Sequence, residues 1–301
     1  MKRLRKWLWR IAIALLALLV LAAATVFALS QARLAHRYAV PAENVAIPKQ
    51  PAAVAHGHHL AIISGCIDCH GQDLSGRVFF ENAMLGRFVA PNLTSGKGGI
   101  AFADQDWIRA IRHGVRPDGK PLLVMPSKEF YALSDADLGA LIAYLKTVPA
   151  VDNELPASAV SAMGRVLMLV MKDLPLLAAE RIDHNAARPP APRAGVTVEY
   201  GKYLAVRCTG CHGKTFTGGK IPGTPRDWPP PLNLTPYPGA ALAQWSEAEF
   251  INALRTGVTP RGHQFDTKYM PWKVLGQMTD DEMKAVRLYL KSLPPREYGS
   301  R

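Results

Sequence analysis

Three kinds of apolar pattern run along the 301 residues of this chain. The first is continuous: Ile11 to Leu29 is 19 residues without a charge. As a helix rising ~1.5 Å per residue it is roughly 28 Å long, close to a bilayer core of about 30 Å. That run predicts a transmembrane helix over residues 11–29. The second pattern is periodic. Leu138, Leu141, Ile142 and Leu145 fall on one face of a helix, and Met283, Val286, Tyr289, Leu290 and Leu293 do much the same. Ser134-x-x-Asp137 and Thr279-x-x-Glu282 precede these helices as capping boxes, and Pro149 and Pro294-Pro295 follow them as stops. The third kind has no period. Residues 86–100 and 217–240 are rich in Gly, Pro and Asn and read as loops.

Val160 to Ala178 is apolar but carries Arg165, Lys172, Asp173 and Pro175. Those charges argue against a second span. The stretch reads as a helix packed between two domains, with a place on the membrane surface as the alternative. Met163, Met168 and Met171 read as packing residues within it. Residues 186–195, with Pro189, Pro190 and Pro192, read as a stiff connector.

The periodic segments belong to a longer duplication. Gly57-x-x-Leu60-Ala61 echoes Gly201-x-x-Leu204-Ala205, and Asn92-Leu93-Thr94 echoes Asn233-Leu234-Thr235. Trp107-Ile108-x-Ala110-Ile111-Arg112-x-Gly114-Val115 echoes Phe250-Ile251-x-Ala253-Leu254-Arg255-x-Gly257-Val258, and Met125-Pro126 echoes Met270-Pro271. The order is collinear, which is a two-domain duplication and not a short-period solenoid. The predicted organisation is an anchor or signal with linker over 1–50, a first domain over 51–150, a helix and Pro-rich linker over 151–195, and a second domain over 196–301. Both Asn-Leu-Thr triplets match the glycosylation pattern. Their recurrence points instead to a structural loop capped by the Asn side chain.

Charge adds orientation. The formal net charge is +12, and five of the basic residues lie in the first ten positions, which hold no acid. A basic cluster ahead of an apolar run stays cytoplasmic, so the body is expected outside the inner membrane, in the periplasm. A cleaved signal peptide, cut near Ser30 and Ala32, is the alternative; its apolar region is usually only about 7–15 residues. The remaining positives are scattered, which suits an acidic partner and not nucleic acid.

The chemistry sits in a pentapeptide that occurs twice, Cys66-Ile67-Asp68-Cys69-His70 and Cys208-Thr209-Gly210-Cys211-His212, using all four cysteines. Cys-x-x-Cys-His is the attachment signature of c-type haem. Zinc would need four thiolates or a finger-like Cys and His spacing, and a redox dithiol needs no adjacent His. The expectation is two covalently bound haem c groups, with the thiols as thioethers and His70 and His212 as axial iron ligands.

The second axial ligand separates electron transfer from chemistry. A Met thioether raises the potential and closes the iron to oxygen and peroxide. Met125 and Met270 are the candidates, because each precedes Pro and lies just before a capped last helix. Met84 follows His70 too closely to reach over a ring, and Met278 and Met283 belong to the final helix and its approach. His113 and His263 occupy non-equivalent places and read as surface polar or propionate-contacting residues. His56, His58 and His59 read as a solvated cluster.

These motifs together resemble the membrane-attached cytochrome c subunits of bacterial alcohol, gluconate and sorbitol dehydrogenases. The resemblance spans Gly57 to Tyr144 and Gly201 to Tyr289. It implies a mainly α fold of two tandem class I-like haem domains, with first and last helices crossing at Gly57 near Tyr144 and at Gly201 near Tyr289. It implies haem attachment at Cys66, Cys69, Cys208 and Cys211, proximal ligands His70 and His212, and distal ligands Met125 and Met270. The expected role is single-electron transfer between a dehydrogenase or quinol-linked donor and an oxidase or cytochrome acceptor, with no catalysis by the chain itself. The competing expectation is a dihaem peroxidase-like enzyme with one open haem. The dehydrogenase-type subunits carry three haem domains where this chain has two.

Overall fold

The computed structural model describes residues 2–171, 174, 176–187, 190–221, 224 and 227–300. Lys172, Asp173, Pro175 and Pro189, which enter the sequence reading of the central region, lie outside the described residues. The chain opens with α1 (Lys2–Ala35), exposed along nearly all of its length. It is the one helix among the described residues long and apolar enough to cross a membrane.

The first half then runs α2 (Pro51–Ile63), α3 (Cys66–His70), β1 (Arg77–Asn82), β2 (Gly86–Ala90), α4 (Asp104–His113), α5 (Ser127–Phe130) and α6 (Asp135–Leu145). A two-residue β3 (Ala159–Val160) and α7 (Ala162–Val170) follow. The second half repeats the helices as α8 (Val198–Ala205), α9 (Thr209–His212), α10 (Ala241–Gln244), α11 (Glu247–Thr256), α12 (Trp272–Leu275) and α13 (Asp280–Ser292).

Each half is built on one close helix crossing. A Cβ added to Gly57 of α2 would stand 1.9 Å from the Ala140 carbonyl oxygen of α6 and 3.0 Å from Tyr144 Cβ. In the second half a Cβ on Gly201 of α8 would stand 1.9 Å from the Ala285 oxygen of α13 and 2.8 Å from Tyr289 Cβ. Only glycine lets the backbones approach so closely. The crossings lie where the resemblance puts them. Behind them Leu138, Leu141, Ile142 and Leu145 of α6 are buried, as are Met283, Val286 and Leu290 of α13. Each such side chain contributes about 1.5–3 kcal/mol on burial.

The two caps differ. Thr279 Oγ1 accepts from the Glu282 N–H at 3.2 Å, and Glu282 Oε2 accepts from the Thr279 N–H at 2.7 Å, a complete capping box. Ser134 Oγ accepts from the Asp137 N–H at 3.0 Å, but the Asp137 carboxylate is turned to His56 (2.7 Å) and the Tyr203 hydroxyl. The expected box is therefore only half formed in the first domain.

Two other expectations are corrected. Residues 86–90 are not loop but strand β2, paired antiparallel with β1, and β3 joins its other edge. The run Arg77-Val78-Phe79-Phe80 and its partner Arg87-Phe88-Val89 are β-branched and aromatic, which suits a pleated surface. Asn82 Oδ1 closes the turn by accepting from the Leu85 N–H at 2.7 Å. Helix α7 is expected between the domains. It packs instead against this hairpin and α1: Phe88, Met168, Leu176 and Leu177 form a small core that also engages Leu34. Arg165 donates to Ser30 Oγ at 2.9 Å and lies over the Phe27 ring, while Arg33 donates to Glu180 and to the Met168 carbonyl.

Candidate functional site

His70 and His212 end α3 and α9 and are 7% and 6% exposed. His70 Nδ1 lies 2.9 Å from the Pro91 carbonyl, and His212 Nδ1 lies 2.8 Å from the Leu232 carbonyl. A carbonyl only accepts, so the ring proton sits on Nδ1 and the lone pair on Nε2. Metal-ligating imidazoles are oriented in this way. Burial also holds the His70 ring below its ordinary pKa, against the Pro91 bond that favours the proton, so the ring is neutral at pH 7.

The carbonyls are held by the same local device in each half. Leu74 and Phe216 both take left-handed backbone, with φ of 58° and 59°, and their carbonyls accept from Leu93 and Leu234 N–H at 2.9 and 2.8 Å. Gly76 and Gly218 donate to the His70 and His212 carbonyls at 2.7 and 3.0 Å. Asn92 Oδ1 accepts from Thr94 N–H and Oγ1, and its Nδ2 donates to the Val151 carbonyl at 2.8 Å. Asn233 repeats this with Thr235 and the Arg296 carbonyl. Both Asn side chains are buried and internally bonded, as a structural loop requires.

The Met-Pro pairs share a turn. Ser127 N–H donates to the Met125 carbonyl at 2.8 Å and Trp272 N–H to the Met270 carbonyl at 2.7 Å. Pro126 (φ −79°, ψ 48°) and Pro271 (φ −76°, ψ 55°) lie near the inverse γ-turn, whose φ proline already supplies. Val124, just before Met125, has a φ of 64°, a strained value for a β-branched residue, and its N–H donates to the Leu176 carbonyl at 2.8 Å.

In the second half Cys208, Cys211, His212 and Met270 all line one largely apolar cavity of about 740 Å³. That is within the ~300–1,000 Å³ range of small-molecule and cofactor sites. In the first half Cys66 and Met125 pack on a common apolar core with Leu60, Trp107 and Ile111. Burial pushes the Cys66 thiol up to about 12 and the Cys208 thiol up to about 11 in the unmodified chain, so neither is a reactive thiolate. Partly buried cysteines, an imidazole whose tautomer puts the lone pair on Nε2, and a large apolar cavity fit a covalently attached porphyrin.

The model for the cytochrome c family matches residues 198–294, and the model for cytochrome c oxidase, cbb3-type, subunit III matches residues 52–145. The two halves are cytochrome c domains. Such domains carry covalently bound haem c. The cytochrome c subunit of quinone alcohol dehydrogenase from Gluconacetobacter polyoxogenes is 28% identical over 278 residues, covering 81% of this chain and 56% of that protein. The fructose dehydrogenase cytochrome subunit of Gluconobacter japonicus is 25% identical, covering 86% and 56%. The gluconate 2-dehydrogenase cytochrome c subunit of Pantoea cypripedii is 25% identical, covering 82% and 60%. The chain thus spans little more than half the length of these relatives.

Several residues of the cytochrome c domains sit otherwise than the sequence suggests. His113 is not at the surface but fully buried, with Nε2 at 2.7 Å from Glu43 Oε1 and Nδ1 at 2.9 Å from His184 Nδ1. Glu43 comes from the stretch after α1, and the second domain has Thr256 at the place of His113. Arg112 and Arg255 play one structural part: each donates to a carbonyl (Leu133, Gly276) and to the first Asp of the last helix (Asp135 at 2.6 Å, Asp280 at 2.7 Å). His263 is exposed and lines the second cavity. His56 and His59 are engaged, not merely solvated: His59 Nε2 meets Glu282 Oε2 at 2.9 Å across the domain boundary, and Asp137 joins His56 to Tyr203.

Sequence reasoning missed one element of the site altogether. Ile63, Ser64, Gly65 and Asp68, from the first haem motif and its approach, form part of the wall of the second cavity. Residues about 140 positions apart give no local signal of such contact.

Proposed function

We propose that this protein is a dihaem electron-transfer cytochrome, not an enzyme, and that it passes single electrons on the periplasmic side of a bacterial inner membrane. The observation that carries the reading is the recurrence, in both domains, of a carbonyl-locked histidine, a partly buried cysteine and a methionine fixed by the same proline turn. In the proposed assignment Cys66, Cys69, Cys208 and Cys211 would form the thioethers, and His70, His212, Met125 and Met270 would hold the iron. Bound haem supplies a one-electron ferric–ferrous couple. The protein's own part is to keep water from the ring with apolar walls, to hold each imidazole aligned through its Nδ1 bond to a carbonyl, and to block small ligands with a thioether.

The contact of the first haem motif with the second cavity supports transfer from one domain directly to the other. The names of the relatives support a dehydrogenase as donor; a quinol-linked donor and an oxidase or cytochrome acceptor complete the proposed chain. Helix α1 is proposed as a retained anchor, with residues 1–50 as anchor and linker, 51–150 and 196–301 as haem domains, and 151–195 between them. Retention is supported by the buried Ser30 and by the bonds that Arg33, Ser30 and Gln31 make to the segment 165–180.

Pyridine haemochrome analysis should give two haems per chain. Met125→Ala and Met270→Ala should each convert one haem from low to high spin and let ferrous carbon monoxide bind there. One haem per chain, or low-spin spectra unchanged by both substitutions, would reject the assignment. Co-purification from detergent-solubilised membranes with a flavin or quinone dehydrogenase tests the donor.

A further inference from the structure

Arg207 lies immediately before Cys208 and is half-buried. Its guanidinium reaches out of its own domain: Nε and Nη2 donate to Ser64 Oγ at 3.3 and 3.2 Å. Ser64 ends α2, two residues before Cys66. The remaining bond is a long one within the chain's own turn, from Nη1 to the Leu204 carbonyl at 3.4 Å. Arg207 lines the second cavity together with Ser64, Gly65 and Asp68. It also lines a narrow crevice between the domains with Glu129 and Tyr203. Among the described residues no carboxylate makes a salt bridge with it.

We propose that Arg207 is a positioning charge shared by both haems, placed between the two attachment motifs so that it raises the reduction potential of each. This rests on the proposed placement of one haem in each domain. One-electron reduction lowers the charge of each iron site by one. A fixed cation nearby, in no salt bridge among the described residues although Asp137 feels its charge while bonded to His56 and Tyr203, therefore favours the reduced form of both. The effect is strengthened by the low effective dielectric of a partly buried site, about 20 against about 80 in water. The same field is felt by the thiols that carry the porphyrins: it opposes the burial that raises Cys66 and Cys208.

The bland alternative is that Arg207 only clasps the domains through Ser64. Spectroelectrochemical titration of the full two-haem protein separates the two. R207Q keeps a donor for Ser64 and removes the charge; R207K keeps the charge; Ser64→Ala removes the clasp and leaves the charge. The expected result is that R207Q lowers both midpoint potentials, by about tenfold in each reduction equilibrium, or about 59 mV for one electron. R207K and Ser64→Ala should hold both near the wild-type values. The proposal is overturned if R207Q leaves both potentials unmoved, if it moves only that of the second domain, or if Ser64→Ala moves them as far as R207Q does. A wild-type protein with fewer than two low-spin haems would overturn the underlying assignment and this proposal together. Two intact low-spin haems with unmoved potentials would refute the role of Arg207 alone.

Discussion

Gly57 and Gly201 show how little room single residues leave in this fold. Each faces a carbonyl oxygen that an added Cβ would approach to 1.9 Å, so even alanine forces the helices apart. Gly201→Val should destabilise the protein by about 1–3 kcal/mol or more, as overpacking of a tight contact does. Denaturant unfolding of the holoprotein, with wild-type haem content verified, would measure it. An unchanged midpoint would mean that the crossing is loose. The buried asparagines make a second case. Asn233→Ala removes the partner of Thr235 N–H and one of the partners of Thr235 Oγ1 and of the Arg296 carbonyl, all in or beside the loop that presents Leu232 to His212. Leaving such groups unsatisfied costs about 1–3 kcal/mol. The loss should appear in the same unfolding measurement, together with a changed proton environment for His212. Sequence spacing alone suggested a loop role for these triplets; the reason, a carbonyl held for an imidazole, needed coordinates.

At the scale of elements, the last helices of the two domains show the same pattern solved twice with different partners. Both begin with a capping signal and bury the expected face. Thr279 and Glu282 complete their reciprocal pair, while Asp137 leaves its cap to bind His56 and Tyr203. Thr279→Ala should cost about 1 kcal/mol, a typical N-cap loss, seen as a lower unfolding midpoint. The shift should come with faster amide exchange in the first turn of α13 and none in α6. The hairpin of β1 and β2 escaped the sequence reading because its residues lie next to a Gly- and Pro-rich stretch, and a run of three apolar or aromatic residues is too short to separate from loop by period. Helix α7 was visible as an element, but its place against α1 and the hairpin depends on Met168, Phe88 and Leu34 meeting in space.

For the molecule as a whole, the domain boundary is polar and titratable. Asp137 and Glu282 are both pushed up by burial, yet hydrogen bonds outweigh this and hold them below the usual carboxylate range: His56 and Tyr203 act on Asp137, and His59 and the Thr279 N–H on Glu282. Carboxylates with depressed folded values stabilise above their unfolded pKa of about 3.9–4.3 and lose that contribution as pH falls through the folded value. His56 has the opposite sign. Its hydrogen bond to Asp137 raises it against the cost of burial, so its contribution is full below about pH 6.5 and is lost as pH rises through the folded value. The boundary should therefore be tightest between about pH 4.5 and 6.5. Hydrogen exchange of α2, α8 and the start of α13 across pH 3–8 would trace it. Asp137→Asn should flatten the alkaline limb and part of the acid limb, with Glu282 keeping the rest, and a profile as steep as wild type would count against the pairings.

Taken by itself, the chain determined its attachment motifs, its internal duplication, the amphipathic last helices, the glycine crossings by resemblance and the long apolar helix. All of these are written in contiguous residues or in a short repeat, where local spacing dictates geometry. Only the tertiary structure decided that Glu43 and His184 would bury His113, that α7 would hold the end of α1, and that Ser64 of one domain would meet Arg207 of the other. Those contacts join residues about 70 to 150 positions apart. Which of them form depends on how finished elements and domains pack in three dimensions, and no local pattern of apolar and polar residues encodes that.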